Sequence, residues 1–113
     1  MPLEIYNKND QWKRVVPISD NGNVQINKTD VYYNISNNQL RFIGYVYALN
    51  TYYRSGIMTF KLPDGWCIDG KQGSTGNYQT TSVNDGDKTI NVCGFNNGYN
   101  PISPNYSIKI RKQ

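Results

Sequence analysis

The stretch Gly56-Ile57-Met58-Thr59-Phe60-Lys61-Leu62-Pro63-Asp64-Gly65-Trp66 decides the fold class. Met58, Phe60 and Leu62 alternate with Ile57, Thr59 and Lys61, the two-residue period of a strand with one face in a core. Pro63 cannot donate to a ladder and ends the strand, and Asp64-Gly65 turns the chain. The turn delivers a large aromatic, Trp66, to the start of the next segment.

The same grammar extends in both directions. Asn21-Gly22, Asp69-Gly70, Asp85-Gly86 and Asn97-Gly98 are further turn pairs, and short alternating stretches lie between them. In Gln39 to Leu49 one face reads Leu40, Phe42, Gly44, Val46, Ala48, and the other Arg41, Ile43, Tyr45, Tyr47, Leu49. Both faces are substantially apolar, which suits a central strand covered on two sides or one at a subunit interface. Tyr106, Ile108 and Ile110 alternate with Ser107, Lys109 and Arg111, an inside/outside pattern. Val31 to Ile35 and Lys88 to Phe95 read as strands, and Val24-Gln25-Ile26 as a short one. No window has a helical period, and Gly70 to Asn77 is a loop on composition. The expected fold is all-β, a compact antiparallel β-sandwich or small β-barrel. Residues 1–23 read as a neck segment packing on the domain, with Trp12 and Val15-Val16-Pro17-Ile18 as apolar anchors, and residues 24–113 as the β-sandwich head domain.

Composition narrows the chemistry. At 113 residues and 37% hydrophobic, with 10 Tyr, the chain supports one modest core built partly from aromatic bodies with polar tips. Oligomerisation would complete its burial. With no His, the commonest general acid/base is absent. The carboxylates Asp20, Asp30, Asp64, Asp69, Asp85 and Asp87 lie mostly in turns, where Asp serves as a local backbone acceptor, so no catalytic residue is expected. Asp85 and Asp87 flank a turn Gly, which suits a solvated loop or a weak Ca²⁺ contact.

Cys67 and Cys93 lack metal-ligand spacing, and buried free thiols are favoured over a bridge. Neither a metal site nor a cofactor is expected. The net charge of +4 is spread thinly, which argues against nucleic acid. A preference for anionic ligands is open, and the plainer reading makes Lys109, Arg111 and Lys112 the solvent face of a terminal strand. No apolar run is long enough for membrane insertion, and Met1-Pro2-Leu3-Glu4 does not begin a signal peptide, though it would suit an excised domain with an added start codon. The Asn-x-Ser/Thr triplets at Asn27, Asn34 and Asn105 are expected by chance in so Asn-rich a chain.

Three phrases carry a resemblance: Phe60-Lys61-Leu62-Pro63-Asp64-Gly65-Trp66, then Ile90-Asn91-Val92-Cys93-Gly94, then Tyr106-Ser107-Ile108-Lys109-Ile110. Together with Leu40 to Val46 they resemble the C-terminal head domains of bacteriophage receptor-binding proteins, the β-sandwich modules of baseplates and tail fibres in phages of Gram-positive bacteria. The resemblance covers roughly residues 31–113 and departs from the family pattern at Cys67-Ile68, where a Pro commonly follows the Gly-aromatic pair. It implies a homotrimer at the virion tail tip that binds host cell-wall or surface polysaccharide alongside other tail and baseplate proteins. Alternatives are a structural baseplate or fibre module without ligand, or a bacterial carbohydrate-binding module.

Saccharide recognition needs flat apolar faces bordered by amides, carboxylates and guanidinium groups. Tyr52-Tyr53-Arg54 and Asn96-Asn97-Gly98-Tyr99-Asn100 offer that mixture, and Trp66 and Asp69 could complete a pocket. The candidate ligand-binding residues are Tyr53, Arg54, Trp66, Asp69, Asn97 and Tyr99. Against this stands Trp66 as a core or interface anchor, and Tyr52 and Tyr53 pointing opposite ways. Tyr99, bracketed by Asn-Gly and Asn-Pro, is the exposed member.

Overall fold

A computed structural model describes residues 12–49, 56–74, 79–103 and 105–113. Among the described residues the chain forms strands and one short 3-10 turn, with no α-helix. The strands are β1 (Lys13–Arg14), β2 (Ser19–Asp20), β3 (Asp30–Ser36), β4 (Gln39–Ala48), β5 (Gly56–Lys61), β6 (Trp66–Ile68), β7 (Thr89–Gly94), β8 (Gly98–Pro101) and β9 (Ser107–Lys112). The larger sheet runs β1-β3-β4-β9-β6, with β8 also on β4, and the smaller runs β2-β5-β7. Every pairing between these strands is antiparallel.

The two sheets face one another across a single core. Leu40, Val46, Ile68, Ile108 and Ile110 come from the larger sheet, and Met58, Phe60, Ile90 and Val92 from the smaller. Phe42 meets Phe60 edge-on with ring centres 5.4 Å apart, and Tyr33 tilts against Phe60 at 4.9 Å. Each such buried side chain contributes about 1.5–3 kcal/mol. The alternation read in β4 and β5 is therefore the alternation of core and outer face. All five turn glycines predicted from sequence, Gly22, Gly65, Gly70, Gly86 and Gly98, have positive φ. A further tight turn joins β3 to β4 at Asn37-Asn38, both left-handed, the pairing of conformations that matches hairpin twist.

Strand β4 organises the larger sheet by changing partners. Its first half pairs with β9 through Gln39, Leu40 and Arg41, and its second with β8 from Tyr45 to Ala48. Gly44 lies between them at φ 107°, where its carbonyl accepts the Ile102 N–H at 2.8 Å. A Cβ at this position would sit 1.9 Å from the Asp30 carbonyl oxygen, so only glycine lets β3 and β4 approach here.

Residues 12–20 join both sheets. β1 borders β3 of the larger sheet and β2 borders β5 of the smaller. Trp12 and Val15 are buried, but Val16 and Ile18 point outward, 76% and 59% exposed, so only part of that segment anchors.

Three local readings need correction. Val24-Gln25-Ile26 is not a strand: Val24 makes one bridge to Ala48, and the chain then tightens into a 3-10 turn, Ile26–Lys28, closed by Lys28 N–H on the Gln25 carbonyl. Tyr106 is 51% exposed, because the chain joins the sheet only at Ser107, opposite Arg41. Gly98–Pro101, read as loop, is a strand, because β9 leaves the second half of β4 open to pairing. Cys67 and Cys93 are both buried, with no disulfide between them.

Candidate functional site

A group of polar and aromatic side chains lies on the outer face of the larger sheet, where β8 borders β4. Register puts it there. Asn100 pairs with Val46, whose side chain faces the core, so Tyr99 and its partner Tyr47 face outward. Tyr99 meets Tyr45 and Tyr47 edge-on, with ring centres 4.9 and 4.8 Å apart, and is 60% exposed. Edge-to-face packing holds the central ring by its neighbours while leaving surface free for a ligand.

The loop that presents Tyr99 is held from below by Asn100. Its buried amide oxygen accepts the N–H groups of Phe95 and Asn96 at 3.1 and 3.0 Å. Its nitrogen donates to the carbonyls of Val46, Asn96 and Gly98 at 3.2, 2.9 and 2.9 Å. Asn100 is thus a structural staple, and Asn97 stands exposed at the loop tip.

Across the cleft, the 3-10 turn raises Asn27 and Lys28. Thr29 fastens that turn to β4: its hydroxyl donates to the Gln25 carbonyl at 3.0 Å and accepts the Tyr47 N–H at 2.9 Å. Lys28 Nζ lies 4.9 Å from the Tyr47 ring centre, a cation-π distance. On β1, Arg14 Nη1 pairs with Asp30 Oδ1 at 2.7 Å and reaches the Tyr32 hydroxyl at 3.4 Å, while Nη2 donates to the Thr29 carbonyl at 3.3 Å. Together Arg14, Asn27, Lys28, Thr29, Asp30, Tyr45 and Tyr99 line an open cleft of about 340 Å³. Tyr99 also walls a neighbouring hollow of about 250 Å³ with Gln79, Phe95, Asn96, Asn100 and Pro101.

The predicted residues do not all meet. Tyr53 and Arg54 lie outside the described residues. Trp66 opens β6, at the edge of the larger sheet beyond β9, where it packs half-buried against the core and lines a separate notch. Asp69 lies 3.6 Å from Arg111 Nη1. Arg111 also bonds Asp85, and its Nη1 donates to the Ile68 carbonyl at 2.9 Å. The Gly70 N–H, donated to Asp85 at 2.8 Å, and the Arg111 guanidinium hold the Asp85 carboxyl below the usual carboxylate range. Asp87 accepts the Asn84 N–H at 2.9 Å. These carboxylates therefore close turns and tie strands. Among the described residues no cluster of three or more Cys, Asp or Glu side chains could hold a metal ion.

Of the predicted six, Tyr99 lines the cleft. Arg14, Asn27, Lys28, Asp30 and Tyr45 are not among them. The outward parity of Tyr45 and Tyr47 is visible in the alternation of β4, but the strand that borders them is not. The chain matches no protein-family model, no curated protein and no solved structure.

Proposed function

We propose that this chain is a non-catalytic saccharide-recognition domain, with its site in the cleft beneath Tyr99. One observation supports the reading above others: two aromatic walls, Tyr45 and Tyr99, share an open cleft with an amide, a carboxylate and two cations. Pyranose rings offer C–H faces to aromatic walls and hydroxyls to amide and charged groups. The resemblance to phage receptor-binding heads extends the proposal. The ligand is then a bacterial cell-wall or surface polysaccharide, and the domain works as a homotrimer at a virion tail tip with other tail proteins.

The test is calorimetric titration with a panel of soluble bacterial cell-wall polysaccharide fragments. Saturable binding that weakens by about 1 kcal/mol or more in Tyr99→Ala, roughly fivefold in Kd, supports the site. Undiminished binding by the variant would move the site elsewhere. A structural module is the rival, and the exposed Val16 and Ile18 beside β2 favour it. It predicts that no fragment binds and that Val16→Ser with Ile18→Ser alters assembly, read by light scattering.

A further inference from the structure

We propose that the notch beside Trp66 is a second binding site, separate from the Tyr99 cleft, for an anionic group borne on an apolar or sugar body. It is about 140 Å³ in volume, and its walls come from distant parts of the chain. Lys61 ends β5, Pro63 and Gly65 form the turn, Trp66 opens β6 and Lys88 precedes β7.

The walls are held by backbone bonds. Leu62 N–H donates to the Lys88 carbonyl at 2.9 Å, Trp66 N–H to the Pro63 carbonyl at 3.2 Å, and Gln113 N–H to the Gly65 carbonyl at 2.9 Å. Leu62, 2% exposed, roots the segment in the core. The indole is thereby presented on a rigid base, and a ligand meeting it would spend little free energy on ordering the protein.

Charge supplies the selectivity. Lys61 and Lys88 line the notch, and Lys112 places its ammonium 5.6 Å from the Trp66 ring centre. Among the side chains that line the notch the one carboxylate is Asp64, which is 98% exposed and lies 3.4 Å from Lys61 Nζ. So exposed an ion pair is weak, and an incoming anion can take Lys61 from it. Two lysines that line the notch and a third whose ammonium lies over the indole, with one loosely held side-chain carboxylate, make a basin for a phosphate or carboxylate whose carrier rests on the ring. Nothing in this argument uses Tyr99, so the two sites stand or fall separately.

The chain has two tryptophans, and the other, Trp12, is buried, so fluorescence of Trp66 reports on the notch. The protein is titrated at low ionic strength with poly(glycerol phosphate), with polygalacturonate, and with neutral dextran. We expect a saturable fluorescence change with at least one of the two anionic polymers, and which of them acts tells phosphate from carboxylate. The response should weaken as salt is added and be absent with dextran. Lys61→Glu with Lys88→Glu, both on the surface, should keep the thermal midpoint and lower affinity on the order of tenfold or more. Trp66→Phe should lose the signal, and Tyr99→Ala should keep it. No response to either anionic polymer, an equal response to dextran, undiminished affinity in the double variant, or loss of the response in Tyr99→Ala would each overturn the proposal.

Discussion

Two aromatic side chains follow a turn glycine in this chain, Trp66 after Asp64-Gly65 and Tyr99 after Asn97-Gly98, and both glycines have positive φ. Both aromatics begin or nearly begin a short strand on the larger sheet. Yet Trp66 packs against the core while Tyr99 stands outward, 60% exposed. Their local sequences do not separate them; their partners do. Trp66 sits two residues before Ile68, which pairs with the buried Ile110, so it takes the inner face. Tyr99 pairs with Tyr47, one residue out of phase with core-facing Val46, so it takes the outer face. A turn fixes where a side chain emerges, but the parity of the neighbouring strand fixes which side it serves.

The sharpest way to break this comparison is at the hinge between the two regions. Gly44→Ala would set a Cβ 1.9 Å from the Asp30 carbonyl and force a side chain into φ 107°. Backbone strain and overpacking cost about 1–3 kcal/mol each. Thermal unfolding should show the largest destabilisation of any substitution here, because β3, β8 and β9 all take their register from β4. An unchanged midpoint would mean that β4 does not need this bend.

Trp66→Ala comes next. A buried Trp truncation costs about 3–5 kcal/mol, and a half-buried ring belongs at the low end, about 3 kcal/mol by chemical denaturation. Tyr99→Ala should cost stability only about 1 kcal/mol, the loss of its edge-to-face contacts, while weakening saccharide binding. If the two variants lose equal stability, the inner and outer assignments fail. If Trp66→Ala stays stable, its ring does not anchor the core.

How much is legible in the sequence follows from the same logic. The turn glycines are legible because positive φ is a local demand, and β4, β5 and β9 because their alternation spans enough residues to show its period. Tyr99's exposure agrees with the expectation from its flanking turn residues, but its cause, the register of β8 on β4, is not legible there. Nor is the cleft. Arg14 reaches Asp30 across 16 residues, and Lys28 reaches Tyr47 only because a 3-10 turn replaces the strand expected at Val24 to Ile26. Strand β8, four residues with Pro at its end, shows no periodicity and exists because β4 offers it a partner. Adjacency in sequence groups Tyr99 with its own loop, whereas register assembles the cleft around it from four strands and a turn.

The smallest expected effect tests how the Trp66 edge is fastened. Arg111, opposite Cys67 on β6, bonds Asp85 and comes within 3.6 Å of Asp69, so it ties the Asp85 turn to the sheet edge. Asp85 has its carboxyl pKa lowered from the ordinary 3.8, first by the Gly70 N–H and then by Arg111. A carboxyl lowered on folding adds stability that is complete above its unfolded pKa and is lost as pH falls through its folded value. The contribution should therefore be constant at neutral pH and disappear only below the ordinary carboxylate range. Because both side chains are exposed, screening by solvent keeps it slight. Melting curves taken from about pH 5 down to about pH 2 should show Asp85→Asn slightly less stable than the parent at the upper end and converging with it at the lower. Saccharide binding at the Tyr99 cleft should not change in this variant, since Arg111 and Asp85 line neither of its walls. A gap that persists undiminished in acid would mean that the substituted amide disturbs the turn itself, through the bond from Gly70, and that the ion pair contributes nothing.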